Sequence, residues 1–323
     1  MKKWYSVLVV LLFSLGILAG CGEDNTTVQE NNAGEEVQQE EVEESAFPVT
    51  ITDAIGEEVT IEAKPERIVS LIPSNTEVAF ALGLGEQVVG VSEHDNYPEE
   101  VKEKEIIGGM EMNVEKIISL TPDLVLAHGS SAHNSAEGLQ QLRDSGINVV
   151  VINDAANFED VYTSIEMIGE ATGEKDEAEK IISGMKQKIN EIKEKASTIT
   201  EKKSVIVEVS PAPDIYVVGA NTFMDEMLTI INAENAVGDQ EGWINLDEET
   251  FIERNPDVII TTYGYYTENA VDLVLAREGW QGVSAVKNKQ VIDVHSDMVT
   301  RSGPRLADGI EELAKAVYPD VFK

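Results

Sequence analysis

From Arg67 onward, short apolar runs alternate with segments of helical periodicity, and this alternation constrains the fold more than any other feature. In the first half, the apolar runs predict buried strands at 68–72, 88–91, 124–127 and 149–152. Helical spacing between them predicts helices at 76–84, 114–120 and 136–145. Strands that are separated by helices form parallel sheets with both faces covered. The sequence therefore predicts an α/β fold.

The same alternation returns after residue 203 and predicts a second α/β unit. Strands are predicted at 205–209, 215–218, 258–262 and 291–294, and helices at 223–231, 248–254, 270–276 and 304–317. Between the two halves, apolar residues at helical spacing continue on both sides of a break at Thr172-Gly173. The second of these helices, over 174–196, would be about 34 Å long at roughly 1.5 Å per residue. It could join two lobes, or it could be a long surface helix of a single domain.

The N-terminus has the pattern of a secretory signal. Lys2 and Lys3 precede an apolar stretch over 7–18, which is too short to span a bilayer. The ending Leu18-Ala19-Gly20-Cys21 resembles the bacterial lipobox, which predicts a signal peptide over 1–20 and acylation of Cys21. An ordinary signal peptide with an incidental cysteine is the alternative. Cys21 is the only cysteine, which excludes an intrachain disulfide.

Composition limits both the organisation and the partners of the chain. Residues 21–46 are rich in Glu, Gln and Asn and predict a lipidated, acidic, disordered tether. Beyond it we expect an N-terminal lobe over 47–157, a helical segment over 158–198 and a C-terminal lobe over 199–323. The net charge of −36 repels nucleic acid and anionic lipid headgroups. We therefore expect a protein on the outer face of the cell membrane, attached only by its lipid.

Two segments of the chain match each other at an offset of 134 residues. The first runs from Asn113 to 126 and the second from Asp247 to 260, and each contains a Pro-Asp pair before an apolar run. Glu115 and Glu249 occupy equivalent places in the predicted first helical turns, where a carboxylate is favoured by unpaired backbone N–H groups. That interaction alone could explain them. The alternative is a matched pair of exposed acids, one per lobe, that docks a basic partner.

Candidate ligand-binding residues follow the predicted strands, at the edge where open parallel sheets bind ligands. They are His94, Tyr97, His128, Ser210, Trp243, Tyr263 and Arg301. Aromatic rings suit a bulky, partly apolar ligand, and Arg301 could meet an anionic group. The histidines could converge on a metal or could simply form hydrogen bonds, and the tyrosines could be packing residues. Because no nucleophile elbow or phosphate loop is present, we expect no enzyme and no resident cofactor. The histidines are widely separated and have no metal-ligand spacing, so we expect no metal site.

Several stretches between residues 65 and 320 resemble, in order, the substrate-binding proteins of bacterial ABC importers for iron-siderophores, haem and cobalamin. They include 67–77, 89–92 with 96–98, 109–115, 122–125, 219–223, 255–259 and 301–305. The resemblance implies two Rossmann-like lobes joined by a long rigid α-helix, the class III fold of periplasmic binding proteins. It also implies that Glu115 and Glu249 dock onto arginines of the permease dimer, which works with an ATPase.

Within that family, the chain is most similar to the cobalamin-binding branch of Gram-positive bacteria. The similarity lies in Pro73-Ser74-Asn75-Thr76-Glu77, in Asn113-Val114-Glu115 and in Trp243, which matches a cleft tryptophan. His94, His128 and Ser210 stand where Gram-negative cobalamin binders have aromatic residues. The resemblance implies a monomer that captures cobalamin as cargo. A ferric siderophore paired with Arg301, or haem with a histidine or tyrosine axial ligand, is the alternative. An enzyme acting on a corrinoid is the rival from another class.

Overall fold

The computed structural model describes residues 47–323. The predicted signal peptide, the lipidation of Cys21 and the tether over 21–46 lie outside the described residues. Within 47–323, none of the helices combines the length and the apolar character that crossing a bilayer requires.

The described chain begins with a β-hairpin. Strands β1 (Val49–Thr52) and β2 (Glu58–Ile61) pair in antiparallel register. The Asp53 carboxylate accepts hydrogen bonds from the backbone N–H groups of Ile55 and Glu57, at 3.0 and 2.9 Å, and so closes the turn. Its other oxygen accepts from the N–H of Val151 at 3.2 Å, which attaches the hairpin to the first large sheet.

The first large sheet has five parallel strands. The elements are β3 (Ile68–Ser70), α1 (Pro73–Ala81), β4 (Val88–Val91), β5 (Glu105–Ile106), α2 (Val114–Ser119), β6 (Leu124–His128), α3 (Gly129–Ala132), α4 (Ala136–Asp144) and β7 (Asn148–Ile152). The strand order is β5-β4-β3-β6-β7, and every neighbouring pair is parallel. The prediction of a parallel sheet is confirmed here. We call this sheet and its helices the N-terminal lobe.

Two helices lead from this sheet to the second one. They are α5 (Phe158–Thr172) and α6 (Lys175–Ala196), and the predicted break between them is confirmed. Gly173 ends α5 with φ of 76°, a left-handed conformation that glycine adopts without strain. The buried residues of α6 recur at helical spacing and include Ile182, Met185, Ile189 and Ile192. One apolar face therefore packs inward along the whole length of α6.

The second large sheet is mixed. Its elements are β8 (Ser204–Glu208), β9 (Tyr216–Val218), α7 (Phe223–Ile230), β10 (Glu234–Asn235), β11 (Trp243–Asn245), α8 (Glu248–Arg254), β12 (Val258–Thr261), α9 (Ala270–Leu275), α10 (Ser284–Lys287), β13 (Val291–Asp293), α11 (Ser296–Thr300) and α12 (Leu306–Val317). The order is β11-β9-β8-β12-β13, and β10 also pairs with β8. We call this sheet and its helices the C-terminal lobe.

Strand β9 runs antiparallel to both of its neighbours, β8 and β11, unlike any strand of the first sheet. A parallel partner would need a crossover of about a dozen residues or more. Only residues 209–215 connect β8 to β9, so the chain turns back on itself. The second α/β unit is confirmed, with this antiparallel edge as the departure from the repeated pattern.

The two sheets are separate but share one apolar core. Alternate residues of the central strands, such as Leu124, Leu126, Val205 and Val207, join α5 and α6 in a single buried cluster. The residues between them point to the opposite faces, where each sheet has its own smaller cluster. This arrangement confirms the predicted α/β fold class. The lobe boundaries at 157, 158, 198 and 199 remain predictions.

Candidate ligand cleft

A cavity of about 240 Å³ lies between the two lobes, at the carboxyl ends of β3, β6 and β7. The N-terminal lobe contributes residues at or just beyond the ends of these strands, among them Ser74, His128 and Asp154. The C-terminal lobe contributes Trp243 and Arg301, together with the first residue of α7 and the last residue of α11. Three predicted ligand residues, namely His128, Trp243 and Arg301, are therefore brought together. The other four do not line this cavity.

His128 ends β6 and is almost fully buried. Its Nδ1 accepts a hydrogen bond from the backbone N–H of Ser130 at 3.2 Å and lies 2.8 Å from the Ser130 hydroxyl. Burial lowers the pKa of His128, and the negative charge of Asp154 opposes that shift only in part. The ring is therefore neutral at pH 7. With Nδ1 accepting from Ser130, the proton lies on Nε2, which can act as a donor.

Trp243 opens β11, the edge strand of the second sheet, and its backbone is in register with Val218. The side chain is 48% exposed although it lines the cavity. A half-exposed indole at a cleft offers both a flat apolar face and an N–H donor to a ligand. The residue therefore combines accessibility with a fixed position on the sheet.

Arg301 is surrounded by partners, in contrast to the expectation of a free anion receptor. Its Nη1 lies 2.9 Å from the Glu77 carboxylate and donates to the Asn96 side-chain oxygen at 2.7 Å. Its Nη2 lies 3.0 Å from Asp297 and donates to the backbone carbonyl of His94 at 3.3 Å. Two carboxylates already compensate its charge. This compensation does not favour an anionic partner, and the role of Arg301 in binding such a ligand stays a prediction.

His94 and Tyr97 lie at the contact between the lobes, outside the cavity that contains His128. The His94 side chain is exposed and has Glu93 3.8 Å away. Tyr97 lines a neighbouring cavity of about 290 Å³, and the guanidinium of Arg305 lies 4.0 Å from its ring centroid. Their position as ligand contacts is therefore not supported by the geometry of the cleft.

Tyr263 lies inside the protein, which corrects the expectation that it is at the rim. Its hydroxyl donates to the Glu208 carboxylate, and no part of the residue is exposed. Burial raises the pKa of Tyr263 above its ordinary value, and the charge of Glu208 adds to the shift. The exposed tyrosines of this loop are its neighbours Tyr265 and Tyr266, whose rings form an edge-to-face pair.

Ser210 also has a structural role that the sequence did not suggest. Its hydroxyl donates to the backbone carbonyl of Asp214 and accepts from the N–H of Tyr216 at 3.0 Å. Both bonds hold the turn between β8 and β9. Ser210 does not line the cavity, so it is corrected to a turn residue.

The predicted repeat appears in the structure as two equivalent helix starts. The side chains of Asn113 and Asp247 cap α2 and α8, and each accepts from a backbone N–H three residues on at 2.9 Å. Glu115 and Glu249 follow in the first turns and are exposed. Exposure makes both acids available to a partner.

The aspartates that follow the two Pro residues are also equivalent in the structure. Asp123 accepts from the N–H of Arg67 at 2.9 Å, and Asp257 accepts from the N–H of Ser204 at 3.0 Å. Each bond holds the start of the central strand of its sheet. The two halves are therefore similar in these side-chain contacts as well as in sequence.

The histidines do not gather around a common point. Among residues 47–323, no group of three His, Cys, Asp or Glu side chains has the arrangement of a metal site. The alternative of a metal bound by converging histidines has no support there.

Sequence reasoning missed the polar residues that connect the lobes. Glu77, Arg301 and Arg305 meet in the structure, although Glu77 was considered only as part of a motif. The sequence did mark these residues, because Glu77 is the last residue of the matching stretch 67–77, and Arg301 and Arg305 are the first and last residues of the stretch 301–305. It could not show that the two stretches are in contact, since Glu77 lies 224 residues from Arg301 and 228 from Arg305.

Comparison with known proteins is consistent with this geometry. The sequence profile of a family described as periplasmic binding protein matches residues 68–298. An uncharacterized ABC transporter substrate-binding lipoprotein of Bacillus subtilis, YvrC, is 50% identical over 100% of both chains. A vitamin B12-binding protein of Pectobacterium atrosepticum is 31% identical, covering 78% of this chain and 88% of its own.

A solved structure from Staphylococcus epidermidis, described as a possible iron-binding (periplasmic solute-binding) protein, has 37% identity. It superimposes with a TM-score of 0.72 over 79% of this chain and 99% of its own. The similarity in sequence covers most of the chain, and the similarity in structure covers nearly all of the solved protein. This chain therefore belongs to the periplasmic binding protein family.

Proposed function

We propose that this protein is the lipid-anchored substrate-binding protein of an ABC importer, and that it captures a corrinoid between its lobes for delivery to the permease. Members of this family that serve ABC importers work with a permease and an ATPase. The name of the Pectobacterium relative supports a corrinoid as cargo, whereas that of the staphylococcal structure points to iron. The charge of the cleft favours the first.

The observation that carries the proposal is the compensated charge of Arg301. Its guanidinium lies within 3.0 Å of Glu77 and Asp297, so it is not available to an incoming anion. Asp154 also lines the cavity and makes no ion pair within the described residues. Among the described residues that line it, the cleft therefore has no uncompensated cation. An anionic ferric chelate would meet a negative site, whereas a corrinoid such as cyanocobalamin has no net charge.

The cavity is too small to enclose a ligand as large as a corrinoid. A volume of about 240 Å³ is below the roughly 300–1,000 Å³ of pockets that enclose drug-sized ligands. A corrinoid would therefore lie across the mouth with part of its surface in solvent. Trp243 offers an apolar face there, and His128 and Ser130 offer polar groups to the amide side chains of the macrocycle.

The hydrogen bonds of His128 and Tyr263 disfavour axial ligation of haem by either residue. In the neutral His128 ring Nδ1 is engaged by Ser130, and the proton on Nε2 occupies the site that would bind iron. Tyr263 is buried and donates its hydroxyl hydrogen to Glu208. Iron ligation through His128 would therefore require a change of tautomer and loss of the hydrogen bond from the Ser130 N–H, and ligation through Tyr263 would require loss of its bond to Glu208.

The membrane side of the proposal uses residues outside the cleft. Cys21 would be the lipidated N-terminus, and Glu115 and Glu249 would dock onto arginines of the permease dimer. Both acids are exposed on short, capped helices, one in each lobe. Such charge-assisted contacts are among the stronger hydrogen bonds that proteins make.

Calorimetric titration of the full chain in detergent tests the cargo. Cyanocobalamin, haemin and an anionic ferric tri-catecholate are the three ligands to compare. We expect saturable heat with cyanocobalamin and none with the ferric tri-catecholate. Tight binding of haemin or of the ferric chelate, with no heat from cyanocobalamin, would contradict the proposal.

Mass spectrometry after long incubation separates a carrier from an enzyme. A carrier returns cyanocobalamin with its mass unchanged. A product of altered mass that requires the folded protein would indicate catalysis and would replace the carrier role.

A further inference from the structure

We infer that Glu77 is a positioning residue that sets the width of the ligand cleft by holding two arginines of the opposite lobe. The effect on ligand binding rests on the proposed function, whereas the effect on lobe geometry does not. Glu77 lies on α1 of the N-terminal lobe and is 3% exposed. Arg301 and Arg305 lie beside α11 and α12 of the C-terminal lobe.

The contacts of Glu77 are short and use both carboxylate oxygens. Oε1 lies 2.9 Å from Nη1 of Arg301 and 2.6 Å from Nη2 of Arg305. Oε2 accepts from Nε of Arg305 at 2.8 Å. The Arg305 pair is therefore bidentate, the geometry that fixes orientation as well as distance.

Other polar groups complete the arrangement from both sides. The Asn96 side chain of the N-terminal lobe donates to Asp297 at 2.8 Å and accepts from Arg301 at 2.7 Å. We call Glu77, Asn96, Asp297, Arg301 and Arg305 the interlobe ion cluster. It contains two carboxylates and two guanidinium groups, so its charges balance. A balanced, largely buried set of this kind has no excess charge with which to attract a ligand.

The location of the interlobe ion cluster ties it to the cleft. Arg301 lines the cavity that contains His128 and Trp243, whereas Glu77 and Arg305 line the neighbouring cavity of about 290 Å³. The interlobe ion cluster therefore lies between the two cavities and contributes to the lining of both. A change in cleft width would separate charges that are largely out of water, and leaving such charges unpaired is costly.

The cluster also links the lobes independently of the chain connection through α5 and α6. Its partners are more than two hundred residues apart in sequence. The apolar core that the two sheets share also holds them together, but apolar packing is non-directional and does not by itself fix the width of the cleft. The charged contact adds a directional constraint at the cleft and presents the ligand with a site that is already formed, which lowers the ordering cost of binding.

The test compares two buried glutamates. In Glu77→Gln the shape is kept and the interlobe charge is lost. Glu208→Gln is the matched control, because Glu208 is also buried but pairs with Arg277 inside one lobe. Spin labels on Ser145→Cys and Asn288→Cys, both exposed and in different lobes, report the interlobe distance. The background is the full chain with Cys21→Ser, in which the introduced cysteines are the only thiols.

Without ligand, we expect one narrow distance distribution in the parent and in Glu208→Gln, and a shifted or broadened one in Glu77→Gln. A Glu77→Gln distribution identical to the parent overturns the inference. Asn96→Ala, which removes an exposed bridging amide, should give a smaller change in the same direction and serves if Glu77→Gln does not fold. An unchanged distribution in that variant, with Glu77→Gln unfolded, also counts against the cluster.

Ligand binding gives the second readout. If the binding-competent geometry falls to about a tenth of the population, the affinity of Glu77→Gln for cyanocobalamin falls about tenfold. A changed distance with no cyanocobalamin binding by the parent leaves the cluster in place and rejects the corrinoid. If the parent binds cyanocobalamin but the interlobe distance in Glu77→Gln is unchanged, the corrinoid proposal stands and the role of the cluster is rejected.

Discussion

Glu77 and Glu208 are two buried glutamates with arginine partners, yet they hold different parts of the molecule. Glu77 joins the two lobes through Arg301 and Arg305. Glu208 ends β8 and pairs with Arg277 within the C-terminal lobe. The same chemistry therefore fixes relative lobe position in one place and internal packing in the other. The difference lies in which elements the partners come from, and not in the residue types.

Further contacts link the Glu208–Arg277 ion pair to helix α8. Burial alone would lower the pKa of Arg277, but the hydrogen bond and charge of Glu208 raise it. The Arg277 guanidinium lies 4.5 Å from the Trp280 ring, whose indole N–H donates to Glu248 at 3.4 Å. Glu248 is next to Glu249, the proposed docking acid. Polar contacts therefore connect the end of β8 to the start of α8.

Helices α2 and α8, which carry the two proposed docking acids, pack on their lobes through different side chains. In the N-terminal lobe, Ile117 of α2 is fully buried in the apolar cluster on the outer face of the sheet. In the C-terminal lobe, Phe251 of α8 packs on Trp280 with ring centroids 4.4 Å apart. The two halves share a sequence repeat and a cap, but aromatic and charged groups replace the aliphatic anchor in the second.

The largest expected effect comes from removing both docking acids. Each charge-assisted contact contributes about 1.5–3 kcal/mol, so Glu115→Ala with Glu249→Ala should lower uptake of labelled cyanocobalamin by roughly a hundredfold or more. Each single change should have a smaller and similar effect if the two lobes dock equivalently. Glu137→Ala, an exposed acid in the first turn of α4, is the control. Loss of cyanocobalamin affinity in the double variant would instead place these acids in the cleft.

Next in size is the cost of breaking the buried pair inside one lobe. Glu208→Ala leaves Arg277 unpaired and should lower the free energy of unfolding by about 3–5 kcal/mol. Urea denaturation measures this change. Glu77→Ala should cost less, because the side chains of Arg301 and Arg305 are 14% and 18% exposed, compared with 9% for Arg277. A greater loss in Glu77→Ala would remove the distinction between the two clusters.

Trp243→Ala should weaken cyanocobalamin binding about tenfold, since a stacked aromatic contact contributes roughly 0.5–1.5 kcal/mol beyond its buried area. Stability should change by no more than about 0.5 kcal/mol, because the side chain is half exposed. Tyr216→Ala is a matched control, with a similarly exposed ring outside the cavity lining. Equal losses of affinity in the two variants would argue against a specific contact with Trp243.

The smallest expected effect is a pH dependence. The pKa of His128 is lowered in the folded state, so below about pH 6.5 the unfolded chain binds more protons at this residue. Its contribution to stability is present above that pH and is lost as the pH falls towards the folded value. His128→Asn should therefore show a shallower decrease in unfolding free energy as the pH falls below about 6.5. A slope identical to the parent would show that His128 binds the same number of protons in both states, and so that folding does not lower its pKa.

Asp95 provides a contrast in the opposite direction. Burial raises its pKa, and hydrogen bonds from Ser92 oppose the shift. The folded state then binds more protons than the unfolded chain just above pH 3.8, so this residue favours folding as the pH falls through that range.

Much of the fold was predictable because its signals are local. The break at Gly173 depends on one residue that tolerates positive φ. The caps of α2 and α8 depend on Asn113 and Asp247 and on groups three residues away. The site was less predictable, because Tyr263 faces inward and Arg301 is already paired.

The sequence by itself determined the alternation of strands and helices, the repeat and the places where helices begin, since these depend on short-range periodicity and on neighbouring side chains. Only the tertiary structure decided that Glu77 meets Arg301 and that β9 turns back beside β8. Pairing across more than two hundred residues depends on how two sheets pack around a shared core. A buried glutamate needs a charged or hydrogen-bonding partner wherever it lies in a sequence, but only the tertiary structure determines which residue that partner is.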